Sequence, residues 1–149
     1  MFSFEGRISD KLTVVDVIDP QAITAGATGV LTAAVDMSKY TKLYAVIMSG
    51  TLGTSGTFDA KFVASATSGG TYAAVTGKAI TQMVKATDDN KIAVLEIDRE
   101  VVAALGKPWV KLNLAAGTAN STSGAVLIGI PANYGKASDL NNADVKEVV

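Results

Sequence analysis

The feature that most constrains the fold of this chain is the brevity of its apolar segments. Clusters of glycine, serine, threonine, asparagine and aspartate separate them. Short apolar segments divided by turn-forming residues are typical of many short strands. The segments lie at residues 13–20, 29–36, 43–49, 57–64, 72–75, 80–84, 92–97, 109–114 and 125–130. Their regular spacing predicts an all-β fold, an antiparallel β-sandwich or jelly roll of about eight to nine short strands.

Two of these segments also predict where their side chains point. Residues 43–49 form an apolar run that ends at Ser49, which is typical of a central strand. Residues 57–64 instead alternate, with Asp59 and Lys61 on one face and apolar side chains on the other. The apolar members of this second segment are Phe58, Ala60, Phe62 and Ala64.

One segment favours a helix. Near residues 98–105, Asp98 fits a helix N-cap, Gly106 fits a C-terminal stop, and Pro108 follows just beyond. A helix of about two turns is not stable alone in water, so it must pack against the strands.

The absence of histidine and cysteine restricts the chemistry open to the chain. Without cysteine there is neither a disulfide framework nor a thiolate metal site. Without histidine there is no imidazole-activated serine and no imidazole general base. We therefore expect no catalytic residues, no metal site and no cofactor, and we predict that the chain is not an enzyme.

Thirteen basic and fourteen acidic residues give a formal net charge of −1. Sequence-independent binding of nucleic acid requires a basic face, and binding to anionic lipid requires a basic cluster. The charge balance therefore predicts neither a nucleic-acid partner nor a membrane partner. The N-terminal residues lack the basic and apolar regions of a secretory signal, so we expect synthesis in the cytoplasm.

Four local patterns resemble functional motifs, and each has a simpler interpretation. The spacing of Gly50, Gly53 and Gly56 lacks the Lys-Ser/Thr of a phosphate-binding loop and fits a connection between strands. Residues 88–90 lack the spacing of a calcium loop and fit a solvated turn. The carboxylates at positions 96 and 98 fit charges on the polar face of a strand. Trp109 fits a core or interface anchor better than a platform for stacking sugars.

The two ends of the chain differ from its middle in composition. We predict an N-terminal arm at residues 1–11, a β-sandwich domain at 12–131 and a C-terminal tail at 132–149. The arm carries apolar side chains that either fold back onto the sandwich or bind a partner, and the tail carries a few more. The predicted protein-interface residues in these segments are Phe2, Phe4, Ile8, Tyr134, Val145 and Val148.

Several stretches of the sequence resemble small virion proteins of tailed bacteriophages. One is residues 35–40 followed by the long apolar segment. A second is residues 57–72, an alternating segment, a small-residue and glycine turn, and then Tyr72. Residues 88–96 and 109–112 continue the likeness, which covers about residues 30 to 131. The resemblance is to head decoration (cement) proteins.

This resemblance implies a sandwich or jelly-roll protein that binds the outside of a phage capsid and stabilises it. The implied partners are the major capsid protein and further copies of the chain, with a trimer as the expected homo-oligomer. The implied location is the capsid surface of the virion. Two alternatives remain open: another virion component, such as a tail or connector protein, and a carbohydrate-binding β-sandwich module. For the second alternative, the rings of Trp109, Tyr72 and Tyr134 would have to be exposed and coplanar.

Overall fold

The computed structural model describes residue 8, residues 11–132 and residues 145–147 of the 149-residue chain. That part of the chain contains ten β-strands and two short α-helices. The strands are β1 (Thr13–Ile23), β2 (Val30–Leu31), β3 (Val35–Asp36), β4 (Tyr40–Leu52), β5 (Thr57–Ser65), β6 (Ala73–Ala79), β7 (Met83–Val84), β8 (Ile92–Asp98), β9 (Trp109–Ala116) and β10 (Ser121–Pro131). The helices are α1 (Lys85–Asp88), before β8, and α2 (Arg99–Ala104), after β8. Neither described helix has the length and apolar character needed to cross a bilayer.

Four strands form one antiparallel sheet in the order β1-β10-β4-β8. The apolar run at residues 43–49 lies in β4, between β10 and β8, as expected for a central strand. The register between β4 and β8 is continuous, whereas the register between β1 and β10 is broken at two places. The two edges of this sheet, β1 and β8, therefore differ in regularity.

The remaining six strands form a second antiparallel sheet around the central pair β5 and β9. β2 and β3 both pair with the outer side of β9, and β6 and β7 pair with the outer side of β5. The two sheets pack face to face as a β-sandwich. The predicted all-β sandwich is confirmed.

The hydrophobic core lies between the sheets. Alternate side chains of each strand point inward, as the pleat requires. Phe58, Ala60 and Phe62 are buried in it while Asp59 and Lys61 are half-exposed on the other side, as predicted from the alternating segment. The largest fully buried side chains are Phe58, Phe62, Ile23, Met37, Leu43, Ile47, Leu52, Ile97, Leu112, Leu114, Leu127 and Val102.

Several strand boundaries differ from those predicted. β6 continues past residue 75 to Ala79, with Gly77 in a left-handed conformation at a break in its register with β5, and only Met83–Val84 of the predicted strand at 80–84 forms β7. Pro20 does not end the first strand, because β1 continues to Ile23. β1 is an edge strand whose pairing skips residues 19 and 20, so the missing N–H of proline removes no ladder hydrogen bond. The segment at 29–36 forms two short strands instead of one. Between them, the Leu112 N–H donates to the Thr32 hydroxyl, which interrupts the regular ladder.

The predicted helix is confirmed as α2. Val102 packs into the core, and Gly106 follows the helix with φ of 64°, a left-handed conformation that suits glycine. Asp98 occupies the N-cap position but makes no side-chain capping hydrogen bond. Its carboxylate instead pairs with Lys42 at 2.8 Å, because Lys42 lies directly opposite it on β4.

Candidate interaction surfaces

The outward side of the four-stranded sheet is apolar. Sheets with one face on the core normally carry polar side chains on the other. Here the residues that alternate with the buried positions of each strand are also largely hydrophobic. We call this set the apolar face: Val14, Val17, Tyr44, Val46, Met48, Ile92, Val94, Val126, Ile128 and Ile130.

A row of four valines crosses the apolar face from one edge of the sheet to the other. Val17 pairs with Val126, Val126 with Val46, and Val46 with Val94. The first three are half-buried by their neighbours, and Val94 at the β8 edge is 48% exposed. Ile92, also on β8, is 66% exposed. Exposure of this surface therefore increases toward β8.

The dimensions of the apolar face follow from strand geometry. Strands lie about 4.8 Å apart, and side chains on one face repeat about every 6.8 Å, so the ten residues cover an area of about 330 Å². The largest apolar patch of a typical monomer is about 300–600 Å² and is often functional. A standard protein interface buries about 800 Å² per partner, so this surface supplies roughly two fifths of one side.

Charged residues lie at one end of the apolar face. The Asp98 carboxylate raises the pKa of Lys42, first through the side-chain hydrogen bond and then through its negative charge. Both side chains of this ion pair are partly exposed, and Glu96 nearby on β8 is exposed. Positions 96 and 98 therefore carry charges at the end of the strand, as predicted, but the face that they share with Ile92 and Val94 is not the polar face that was expected.

The acidic residues before β8 bind groups of their own chain. Asp88 accepts a hydrogen bond from the Val84 N–H, and Asp89 accepts from the Leu52 N–H at 2.9 Å and from the Lys85 ammonium. The hydrogen bond from Lys85 lowers the pKa of Asp89, and the bond from Leu52 lowers it further. The bond from Leu52 to Asp89 joins the C-terminal end of α1 to β4, whereas the other two bonds are local to α1 and the residue before it. Within the described residues, no three histidine, cysteine, aspartate or glutamate side chains form a metal-binding group.

The glycine-rich connection predicted between two strands is confirmed. It joins β4 to β5, and the Gly56 N–H donates to the Gly53 carbonyl at 2.7 Å in a tight turn. A Cβ at Gly53 would lie 2.6 Å from the Asn120 carbonyl oxygen, so this position has no room for a side chain.

The outward side of the six-stranded sheet has a different character. We call it the mixed face: Asp59, Lys61, Tyr72, Gln82, Trp109 and Lys111. The Lys111 ammonium lies 4.4 Å from the centroid of the Tyr72 ring, and burial raises the pKa of the Tyr72 phenol. Trp109 is half-buried on this outer side, opposite Asp36 of β3, so it is not a core residue.

The predicted interface residues belong to the terminal segments. Phe2, Phe4, Tyr134 and Val148 lie outside the described residues. Ile8 is 62% exposed, and its carbonyl accepts hydrogen bonds from the N–H groups at positions 11 and 12. Val145 is half-buried. Their interface role remains a prediction.

Both terminal segments adjoin the same end of the four-stranded sheet. β1 begins at Thr13, which pairs with Gly129, and β10 ends two residues later at Pro131. The apolar face begins at this end with Val14 and Ile128. The chain ends therefore join the sandwich next to the apolar face.

No family model matches the sequence, and the search of curated proteins found no match. Three solved structures with similar strand arrangements contain carbohydrate-binding modules. The first contains the CBM22-1–GH10 modules of Clostridium thermocellum endo-1,4-β-D-xylanase 10B with xylohexaose; it is 9% identical with a TM-score of 0.40, and the match covers 85% of this chain and 28% of that chain. The second is a xylan-binding domain from CBM 22, 14% identical with a TM-score of 0.39, and the match covers 88% of this chain and 93% of that chain. The third is the C-terminal family 22 module of C. thermocellum xylanase 10B, 14% identical with a TM-score of 0.39, and the match covers 87% of this chain and 91% of that chain. At these identities and TM-scores the similarity concerns the fold alone.

Proposed function

We propose that this chain is a non-catalytic structural protein that binds other protein surfaces through its apolar face. The observation that carries the proposal is the row of four valines across the outward side of the four-stranded sheet. Such a row contributes little to the core of its own sandwich, because its side chains point away from it. Burial against a partner would remove this apolar surface from water, which is favourable.

We further propose that the partner surface is the outside of a phage capsid, which the protein stabilises as a decoration protein. The resemblance of residues 30 to 131 to such proteins supports this partner. The apolar face supplies roughly two fifths of one side of a standard interface, so the terminal segments, which join the sandwich at the end of this face, are expected to contribute the rest. Many copies bound to one shell would also gain avidity that a single copy lacks.

Labelling and rebinding on purified particles would test this proposal. Antibody raised against the chain should label the head of the virion in many copies, and purified protein should rebind capsids from which it has been stripped. Deletion of residues 1–11 should weaken rebinding. Label confined to the tail or connector would support the other virion component instead, and the absence of label from particles would overturn both.

A second candidate function is carbohydrate binding on the mixed face. The half-exposed indole of Trp109 favours it, because aromatic rings provide apolar platforms with a polar edge. Against it, the Lys111 ammonium lies over one face of the Tyr72 ring, so a sugar could stack there only after Lys111 moved. The Tyr72 hydroxyl also donates to the Ser68 carbonyl, which fixes the ring.

Affinity electrophoresis in gels containing xylan, the polysaccharide named for one of the similar structures, would separate the two candidates. Carbohydrate binding requires that wild-type protein is retarded and that Trp109→Ala is not. The structural proposal expects equal mobility for wild type and variant, with bovine serum albumin as the reference for non-specific retardation.

A further inference from the structure

The first edge of the four-stranded sheet, β1, is protected against pairing with another sheet. Its register with β10 is broken at two places, and it carries Asp19 and Pro20 where pairing is skipped. The Asp16 carboxylate in addition accepts a hydrogen bond from the Ala33 N–H, which ties a neighbouring loop to the strand. Bulges, charges and proline are the means by which natural edge strands avoid aggregation.

The second edge, β8, is less protected, because its charged residues Glu96 and Asp98 lie only in its C-terminal half. Its pairing with β4 is regular over its whole length, and it contains neither proline nor glycine. Among the described residues, its backbone forms no hydrogen bond to any strand other than β4. Alternate residues of an edge strand direct their N–H and C=O groups away from the sheet, so β8 presents a row of groups able to pair with another strand.

The side chains of β8 also suit an additional strand. Ile92 and Val94 are the most exposed members of the apolar face, and both belong to this edge. Cross-strand apolar pairs stabilise a sheet because neighbouring side chains on one face contact each other. A strand added beside β8 would give these two side chains the neighbours that Val46 and Met48 provide on only one side.

We propose that β8 is the contact strand through which a second copy of this chain extends the four-stranded sheet. The two β8 strands would pair antiparallel about a two-fold axis at Val94 and form a continuous eight-stranded sheet. In this register Val94 faces its counterpart, and Ile92 of each copy lies beside the aliphatic stem of the other copy's Glu96. The same register places the small Ala93 opposite the larger Leu95 on the core side.

Electrostatics do not oppose this pairing. The two Glu96 carboxylates would be four residues apart along the strands, about 14 Å, which exceeds the Debye length of about 8 Å at physiological salt. Asp98 already forms an ion pair with Lys42 of its own chain. The formal net charge of −1 adds little repulsion between copies.

The pairing would double the apolar face to an area of about 650 Å², roughly four fifths of one side of a standard protein interface. It does not depend on which larger surface that face binds, so its failure would leave the proposed function intact. A two-fold contact produces dimers, whereas the trimer implied by the resemblance needs a head-to-tail contact between different edges.

The valine row and the absence of native cysteine make a direct test possible. Single cysteine variants at positions 17, 126, 46 and 94 would be oxidised and compared on non-reducing gels, with exposed Thr87→Cys measuring random collision. At the two-fold axis the Cα atoms of Val94 would be about 5 Å apart, within disulfide range. We expect Val94→Cys to form covalent dimers at least tenfold faster than Val17→Cys and Thr87→Cys.

Sedimentation velocity on the unmodified chain provides the matching non-covalent test. We expect the fraction of dimer to increase with protein concentration. Val94→Lys should weaken dimerisation at least tenfold, whereas Val17→Lys should leave it unchanged. Fastest crosslinking through Val46→Cys or Val126→Cys would mean face-to-face packing and would overturn the proposal. Fastest crosslinking through Val17→Cys would also overturn it. In sedimentation, monomers or trimers whose amount Val94→Lys does not change would overturn it as well.

Discussion

Val46 and Val94 lie directly opposite each other on β4 and β8, with both side chains on the outward side of the four-stranded sheet. On the inward side, the neighbouring pair Ala45 and Leu95 belongs to the core. Apolar residues thus occupy both faces of these strands, although only one face packs within the described part of the chain. The surplus apolar face is the reason to expect a protein partner.

The apolar face should matter less for folding than the core face of the same strands. We expect Leu127→Ala, on the inward side of β10, to lower the free energy of unfolding by about 2–5 kcal/mol because it leaves a cavity. Val126→Ala, the adjacent outward position, should cost about 1 kcal/mol or less, as surface changes usually do. Urea unfolding at low protein concentration measures both. Equal losses would mean that the outward side is packed within the monomer.

The loop before β2 should require glycine at one position. Gly29 has φ of 92°, and a Cβ there would lie 2.3 Å from the Leu114 carbonyl oxygen. We expect Gly29→Ala to cost about 2–3 kcal/mol from backbone strain and this clash together. Gly26→Ala is the matched control, since Gly26 also has positive φ but open space around its Cα. Gly26→Ala should cost about 1 kcal/mol. Denaturant titration measures both variants, and equal losses of stability would contradict this prediction.

Asp89 should make stability depend on acid pH. Its folded-state pKa is lowered by Lys85 and by the Leu52 N–H, so its contribution is present above the unfolded pKa of about 3.9 and is lost as the pH falls through the folded value. Asp89→Asn keeps an oxygen for the Leu52 N–H but no longer titrates. We expect the variant to lose less stability than wild type between about pH 5 and pH 2, as measured by urea midpoints. Parallel curves would remove Asp89 as the cause.

Near neutral pH, by contrast, stability should hardly change. Histidine is the side chain whose ordinary pKa falls in this range, and the chain has none. The pKa of Asp89 moves downward, away from the neutral range, and those of Lys42 and Tyr72 move upward. Thermal unfolding midpoints should therefore be level between about pH 5.5 and 7.5. A sharp transition in that interval, in the free protein or in the assembled particle, would contradict this expectation.

More of the fold than of the candidate interaction surface could be predicted from the sequence. The alternation of residues 57–64 and the position of α2 each follow from local rules, and both are confirmed, although the capping hydrogen bond expected of Asp98 does not form. The continuation of β1 through Pro20 could not be predicted, because it depends on that strand lying at an edge. Likewise, the run at 43–49 predicted a central strand, but it did not reveal that no described element covers the outward face of that strand.

The sequence predicted a protein-binding surface but did not predict that the four-stranded sheet carries an apolar face. Composition indicated protein binding without catalysis, and the predicted contact residues were placed in the terminal segments. The apolar face was missed although a signal existed, since residues 125–130 are apolar at almost every position apart from Gly129. Which of these positions face outward depends on the register with β4, and single-sequence patterns do not specify register.

The most direct test of the proposed function is quantitative rebinding of purified protein to stripped capsids of the phage whose decoration protein we propose it to be. Wild type, Val46→Asp and Trp109→Ala would be compared by co-sedimentation, after circular dichroism shows that all three are folded. The account predicts that Val46→Asp loses at least tenfold in affinity, because a charge lies in the middle of the apolar face, while Trp109→Ala binds as wild type does. Unchanged binding by Val46→Asp, with loss in Trp109→Ala, would contradict it.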